Sequence, residues 1–467
     1  MEEEKTTLNF NKKDWINIIK KTNKDSYIRL LLHSIFENIE DISYFKESLP
    51  LFRYYSLFIN LDIILNKHGF KKIEINGKLN EEKMLIIDFS SLEYEYDDED
   101  EMKNIEIEKD KFIPCLKSGI MLYIKNNEKI LIRVEEVWRG SDLEDISFYS
   151  NIEPQKISEI IKEIIIYSDE NHYLKGKSFY PDLYLCEKND YSWDSIILND
   201  NIKSKIKSNI ENMFECQMVF KKLGIKMKRG VILVGNPGVG KTLIGKILSN
   251  SDKYTFIWIT PGFLCSANSI KNIMEVARFF SPCLIFIEDI DLHGEDRDIS
   301  SNRSLLGELM NQLDGSTEND GIAVVSTTNK LEVLEEALQN RPQRFDVIIE
   351  IPFPTEGQIR QSFTLFAKDF IISNETIDEL MNKINKRKNI SCAHIKSLVD
   401  GSIINFIIKN KDNIEEDILE KEDYVLDISD FNLEDLSRKN NNPIGFRQKE
   451  NAECKSQRSS KRVNYIE

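Results

Sequence analysis

The stretch GNPGVGKT at 235–242 restricts the fold of this chain more than any other. It follows the apolar run 231–234 and opens a segment of helical spacing, which is the strand, loop and helix setting that GxxxxGK[ST] requires. Gly235, Gly238 and Gly240 let the backbone turn its N–H groups inward, and a helix beginning at Lys241 adds the positive end of its dipole. Such a loop cradles phosphate oxygens. Asn236, Pro237 and Val239 complete it, Lys241 is placed to neutralise β- and γ-phosphates, and the Thr242 hydroxyl is placed to ligate Mg²⁺.

The surrounding text agrees. From Trp193 to about 410, apolar runs alternate with helical patterns: GVILVG, YTFIWIT, CLIFIED and GIAVVSTTN, with helices expected from 241, 269, 303 and 331. This alternation predicts an α/β fold with a parallel sheet covered on both faces. The third run continues as LIFIEDID, 284–291, so Glu288 and Asp289 stand together where the strand ends. Polar Asn329 ends the fourth run, which puts it at the carboxyl edge of the sheet beside the phosphate loop.

GVILVGNPGVGKT, SPCLIFIEDID, LLGELMNQLDG, VVSTTN and RPQRFD, in this order and at these intervals, resemble the AAA ATPases over roughly 190–410. The resemblance implies a P-loop ATPase domain with a small helical lid, ATP and Mg²⁺ as its ligands, and a shared-site oligomeric ring, by resemblance a hexamer. It makes Glu288 the Mg²⁺-side acid, Asp289 the water-positioning base and Asn329 the first sensor. Family members usually carry Asp then Glu here. The Glu-Asp order is similar to that of the mitochondrial inner-membrane AAA translocase branch, and it leaves Asp289 one methylene short. Arg341 and Arg344 of RPQRFD match the arginines that one subunit lends to its neighbour's γ-phosphate, with Gln343 where the family usually has glycine. Ile196 of WDSIIL is the candidate to lie against the base, a plain core position being the other reading. Ser391 of SCAHIKSLV is a helix N-cap, and Ala393 is the candidate lid contact. The loop 259–272 is shorter than in protein-threading members and keeps one aromatic, Phe263, either as a gripping residue or packed beneath the loop.

The first 190 residues carry no recognisable chemistry. Stripes such as Trp15, Ile18, Ile19 and Leu30, Leu31, Ile35 predict helix from about 11 to 67. MLIIDFS (84–90), GIMLYIK (119–125) and KILIRVEEV (129–137) predict strands, and a helix is expected at 154–166. The expected organisation is a helical region 1–68, an α+β recruitment domain and linker 69–190, the large ATPase domain 191–365, a lid 366–410 and a charged tail 411–467 with a disordered end. A net charge of -16 disfavours nucleic acid and anionic membrane as partners. The longest apolar runs fall short of the roughly 18 residues of a membrane-spanning helix, and the start MEEEKTT has no leader character. Seven scattered cysteines without a CxxC pair argue for reduced thiols, and together these features predict a cytoplasmic protein. No HExxH occurs. The expected function is ATP hydrolysis that remodels or translocates an unknown protein client; the alternative is an ATP-gated assembly switch with little hydrolysis.

Overall fold

Continuous apolar text makes strands that are buried on both faces, and in this protein these strands pair side by side. The computed structural model describes residues 38–72, 102–117, 119–136, 143–264, 266–290, 319–329, 347–368, 370–384, 389–411 and 424–432, with scattered positions outside these ranges. The strand expected at 84–90, most of the helix expected from 331, both finger arginines and the tail beyond 447 lie outside the described residues. By internal contacts the chain divides into two compact units, Met1–Pro352 and Phe353–Glu467.

The first unit opens with β1 (Ser43–Pro50), α1 (Leu51–Lys67) and the short β2 (Lys71–Lys72). A two-stranded ribbon, β3 (Met102–Glu108) with β4 (Lys111–Leu116), leads to β5 (Gly119–Lys125), β6 (Glu128–Glu136), β7 (Leu143–Ser150) and α2 (Pro154–Glu170). The strands form an antiparallel sheet of order β1-β7-β6-β5-β2. Leu57, Leu61 and Ile64 of α1, and Ile157, Ile160, Ile161 and Ile164 of α2, recur at helical spacing and join the buried core. Where the stripes predict helix to residue 67, SYFKESLP is strand. Its exposure alternates residue by residue, a period of two, and Pro50 then starts α1.

The second sheet of this unit is all parallel, with order β13-β9-β12-β11-β10-β8. Its strands are β8 (Ser178–Phe179), β9 (Lys228–Val234), β10 (Thr255–Ile259), β11 (Cys283–Ile287), β12 (Ile322–Thr328) and β13 (Val347–Glu350). Helices α3 (Asp200–Asn209), α4 (Glu211–Glu215) and α5 (Gln217–Leu223) precede β9, α6 (Lys241–Leu248) follows it, and α7 (Ala267–Phe279) links β10 to β11. Every residue of β10, β11 and β12 is buried, and each such aliphatic or aromatic side chain contributes about 1.5–3 kcal/mol.

One apolar core runs from the antiparallel sheet into this parallel one. At the junction Phe52 of α1 meets Phe279 and Phe280 at the end of α7, with ring centroids 5.1 and 5.9 Å apart. His172 lies among them, 4.6 Å from Phe280. Its Nε2 donates to the Phe52 carbonyl (2.9 Å), its Nδ1 accepts from the Leu174 N–H (3.1 Å), and burial pulls its pKa down to about 4. The segment between α2 and α3 therefore supplies both an edge strand, β8, and a buried neutral histidine.

In the second unit, α8 (Glu356–Ala367), α9 (Asn374–Ile384) and α10 (Cys392–Lys409) surround a small core of Phe363, Leu380, Ile395, Leu398 and Val399, with the strand pair β14 (Ile371–Ile372) and β15 (Val425–Leu426) at its side. Ser391 caps α10 as expected, its hydroxyl accepting from the His394 N–H while His394 Nδ1 accepts from the Ser391 N–H.

Candidate nucleotide site

In a parallel sheet all strands end on one edge. Here β9 lies between β12 and β13, so the loop after β9 opens beside the ends of β11 and β12. Gly235 begins the loop with its N–H on the Thr328 carbonyl (3.2 Å), and a Cβ there would stand 2.6 Å from the Ile351 carbonyl oxygen. Asn236, Pro237 and Gly238 are exposed, whereas Val239 tucks inward at 3% exposure. Gly240 caps α6 with φ +107°, a conformation L side chains rarely adopt, and a Cβ there would meet Ile196 Cδ1 at 3.0 Å. Ile196 is thus buried against the phosphate loop itself.

Lys241, 6% exposed, turns its ammonium back across the loop. It donates to the carbonyls of Gly235 (2.5 Å) and Asn236 (3.1 Å) and to Oδ1 of Asn329 (2.8 Å). The lysine of the loop and the amide at the end of β12 are therefore in direct contact. Thr242 is exposed on the first turn of α6.

The two acids follow the last residue of β11, both half-buried. Glu288 sends its N–H to the Ile259 carbonyl (2.9 Å), and its Oε2 accepts from the Trp258 indole Nε1–H (3.2 Å). Asp289 has φ +41°, and its N–H donates to the Thr327 hydroxyl oxygen (2.8 Å). Tyr180 lies near this end of the sheet: burial, then Cys186 and Glu288, push its phenol up to about 12. Phe263 packs against the core under its loop and stacks with Tyr180 at 6.3 Å. Arg341 and Arg344 fall outside the described residues. Ala393 is exposed on the first turn of α10, in the second unit.

Trp258 and Thr327 escape sequence reasoning because each sits in an apolar strand and reads as filling. The signal was present in their chemistry: an indole N–H or a hydroxyl near a strand end needs a partner, and the neighbouring strand ends in acids.

A glycine-lined loop at a helix N-terminus, its lysine on a strand-end amide and a pair of carboxylates one strand away define a P-loop nucleotide-binding domain. Residues 231–353 match the family described as ATPase family associated with various cellular activities (AAA), and the chain carries an AAA ATPase domain. It is 32% identical over 240 residues to an ATP-dependent zinc metalloprotease YME1 homolog of Schistosoma mansoni, covering 49% of this chain and 36% of that protein. It is 31% identical over 210 residues to a proteasome-activating nucleotidase of Methanothermobacter thermautotrophicus (42% of this chain, 51% of that one). To a 26S proteasome regulatory subunit 6B homolog of Dictyostelium discoideum it is 29% identical over 240 residues, 48% of this chain and 58% of the relative. The chain thus spans between about a third and three fifths of the length of these curated relatives.

Proposed function

We propose that this protein hydrolyses ATP at the loop 235–242 and uses the cycle to remodel or translocate a protein partner as a homo-oligomeric ring, with six subunits. The observation that carries the reading is the Lys241–Asn329 contact at the sheet edge where Glu288 and Asp289 end the neighbouring strand. Lys241 neutralises the β- and γ-phosphates, the loop amides bind their oxygens, and Asn329 exchanges its lysine contact for the attacking water. Asp289 orients and deprotonates that water. The Thr242 hydroxyl and Glu288 carboxylate are hard oxygen donors of the kind Mg²⁺ takes, and the ion, when bound, offsets phosphate charge. Arg341 and Arg344 complete the site of the adjacent subunit, and Ala393 belongs to the lid over the base. Ile196, buried against Gly240, is the apolar residue proposed to lie against the base.

The proposed division of labour is recruitment by residues 1–190, catalysis by 191–365, lid closure by 366–410 and a charged tail from 411. The Glu-Asp order is similar to that of the mitochondrial inner-membrane AAA translocase branch, and this likeness supports a working pair of acids. Composition supports a cytoplasmic protein acting on protein, not nucleic acid, and among the described residues no helix is long and apolar enough to cross a membrane. Phe263, packed beneath its loop, favours moving a folded partner over gripping an extended chain. Turnover per subunit measured against protein concentration, with Arg344→Ala alongside, tests the shared site. The rate rises with concentration and falls by about 1000-fold in the variant. Tight ATP binding without turnover at any concentration, with or without partner, would instead make the protein an ATP-gated switch.

A further inference from the structure

We infer that Thr327 is a positioning residue: its hydroxyl holds Asp289 in a left-handed turn and so decides where the shorter acid of the pair is presented. The inference rests on the reading of Asp289 as the water-orienting group and deepens it.

The ladder between β11 and β12 shows what the hydroxyl does. Cys283 sends its N–H to the carbonyl of Gly321 at 2.9 Å, and parallel bonding repeats every second residue along the strand. Carried forward by the same step, the N–H of Asp289 falls on the carbonyl of Thr327. It does not bond there. The Asp289 N–H takes the Thr327 hydroxyl oxygen at 2.8 Å, and the Thr327 carbonyl accepts instead from Ile290 N–H at 3.0 Å. The backbone pairing slips by one residue, and the side chain of Thr327 fills the place that the slip leaves.

Asp289 pays for the slip with φ +41°, a region that aspartate enters more readily than most residues but still at a cost. Thr327 itself is 1% exposed, so water cannot substitute for its oxygen. Along an extended strand successive side chains alternate between the faces of the sheet. A left-handed residue breaks that alternation and sends its side chain off in another direction. Asp289 is one methylene shorter than the glutamate usual in the family, and a backbone turn is a means by which the chain can restore the aim that length no longer provides.

The test uses the full-length protein with Mg²⁺-ATP. Thr327→Val keeps shape and β-branching but removes the acceptor, so the Asp289 N–H falls back on the backbone carbonyl; kcat drops about 10- to 100-fold while ATP affinity by equilibrium titration holds. Thr327→Ser, which keeps the hydroxyl, restores the rate. Asp289→Glu lowers kcat in the wild-type background, because the extra methylene overshoots from the turned backbone, and regains part of the loss when combined with Thr327→Val. Unchanged kcat in Thr327→Val, or a rate in Asp289→Glu equal to or above the wild type, overturns the inference. Should Thr327→Val not fold, the Asp289→Glu arm decides alone. An unaltered rate in Asp289→Asn would instead overturn the underlying reading of Asp289, so the two failures are distinguishable.

Discussion

The antiparallel sheet β1-β7-β6-β5-β2 and the parallel sheet β13-β9-β12-β11-β10-β8 share one apolar core and differ in where their strands end. Antiparallel strands alternate direction, so polar residues at their ends are divided between two edges. Parallel strands all finish on one edge, and polar residues that interrupt apolar text there must meet. Lys241, Asn329, Glu288 and Asp289 each follow such a strand directly or through the loop after β9. Burying apolar area is therefore a task both sheets perform, whereas bringing polar groups together on one edge is a property of strand direction.

The largest effect that would test this contrast comes from the parallel sheet. Lys241→Ala removes the cation that bridges the loop and Asn329, and ATP turnover falls by about 1000-fold with only a modest change in melting temperature. A variant that melts much lower would make the lysine a structural strut instead.

A deletion of similar size in the antiparallel sheet has the opposite signature. Ile132 of β6 is 1% exposed, and Ile132→Ala costs about 2–5 kcal/mol of stability in a denaturant titration. The kcat of the protein that remains folded is unchanged. Reduced kcat at full ATP saturation would show that the antiparallel sheet also shapes the site.

At the junction of the two sheets the smallest of these effects depends on pH. His172 is neutral when folded, with its pKa lowered from 6.5 to about 4 by burial among Phe52, Phe279 and Phe280. The unfolded chain takes up a proton below 6.5 that the folded chain refuses until about 4. The stabilisation is thus complete above 6.5 and is lost as pH falls, by roughly 2 kcal/mol at pH 5. His172→Phe flattens that part of the pH dependence in urea melts at pH 7 and 5. An equally steep loss in the variant would assign it to other groups.

Legibility in the sequence follows the same division. The loop 235–242, the strands after which Asn329 and Glu288 stand, and the cap at Ser391 could all be read because each is encoded within a few consecutive residues. What could not be read depends on pairing between distant segments. SYFKESLP is strand because β7 lies beside it, 100 residues on, and Ser178–Phe179 is strand because β10 offers an edge. The hydrogen bonds from Trp258 to Glu288 and from Asp289 to Thr327 likewise join neighbouring strands, and no local pattern announces them. The Glu-Asp order was visible as a departure; the turned backbone that accompanies it was not.

In the proposed mechanism this pair of acids hydrolyses ATP with aspartate in the water-orienting place. The most direct measurement is ATP turnover by Asp289→Asn at saturating Mg²⁺-ATP, with ATP binding measured on the same preparation. Binding like that of the wild type and turnover at least about 100-fold lower are expected. Normal binding with an unaltered rate would contradict this mechanism.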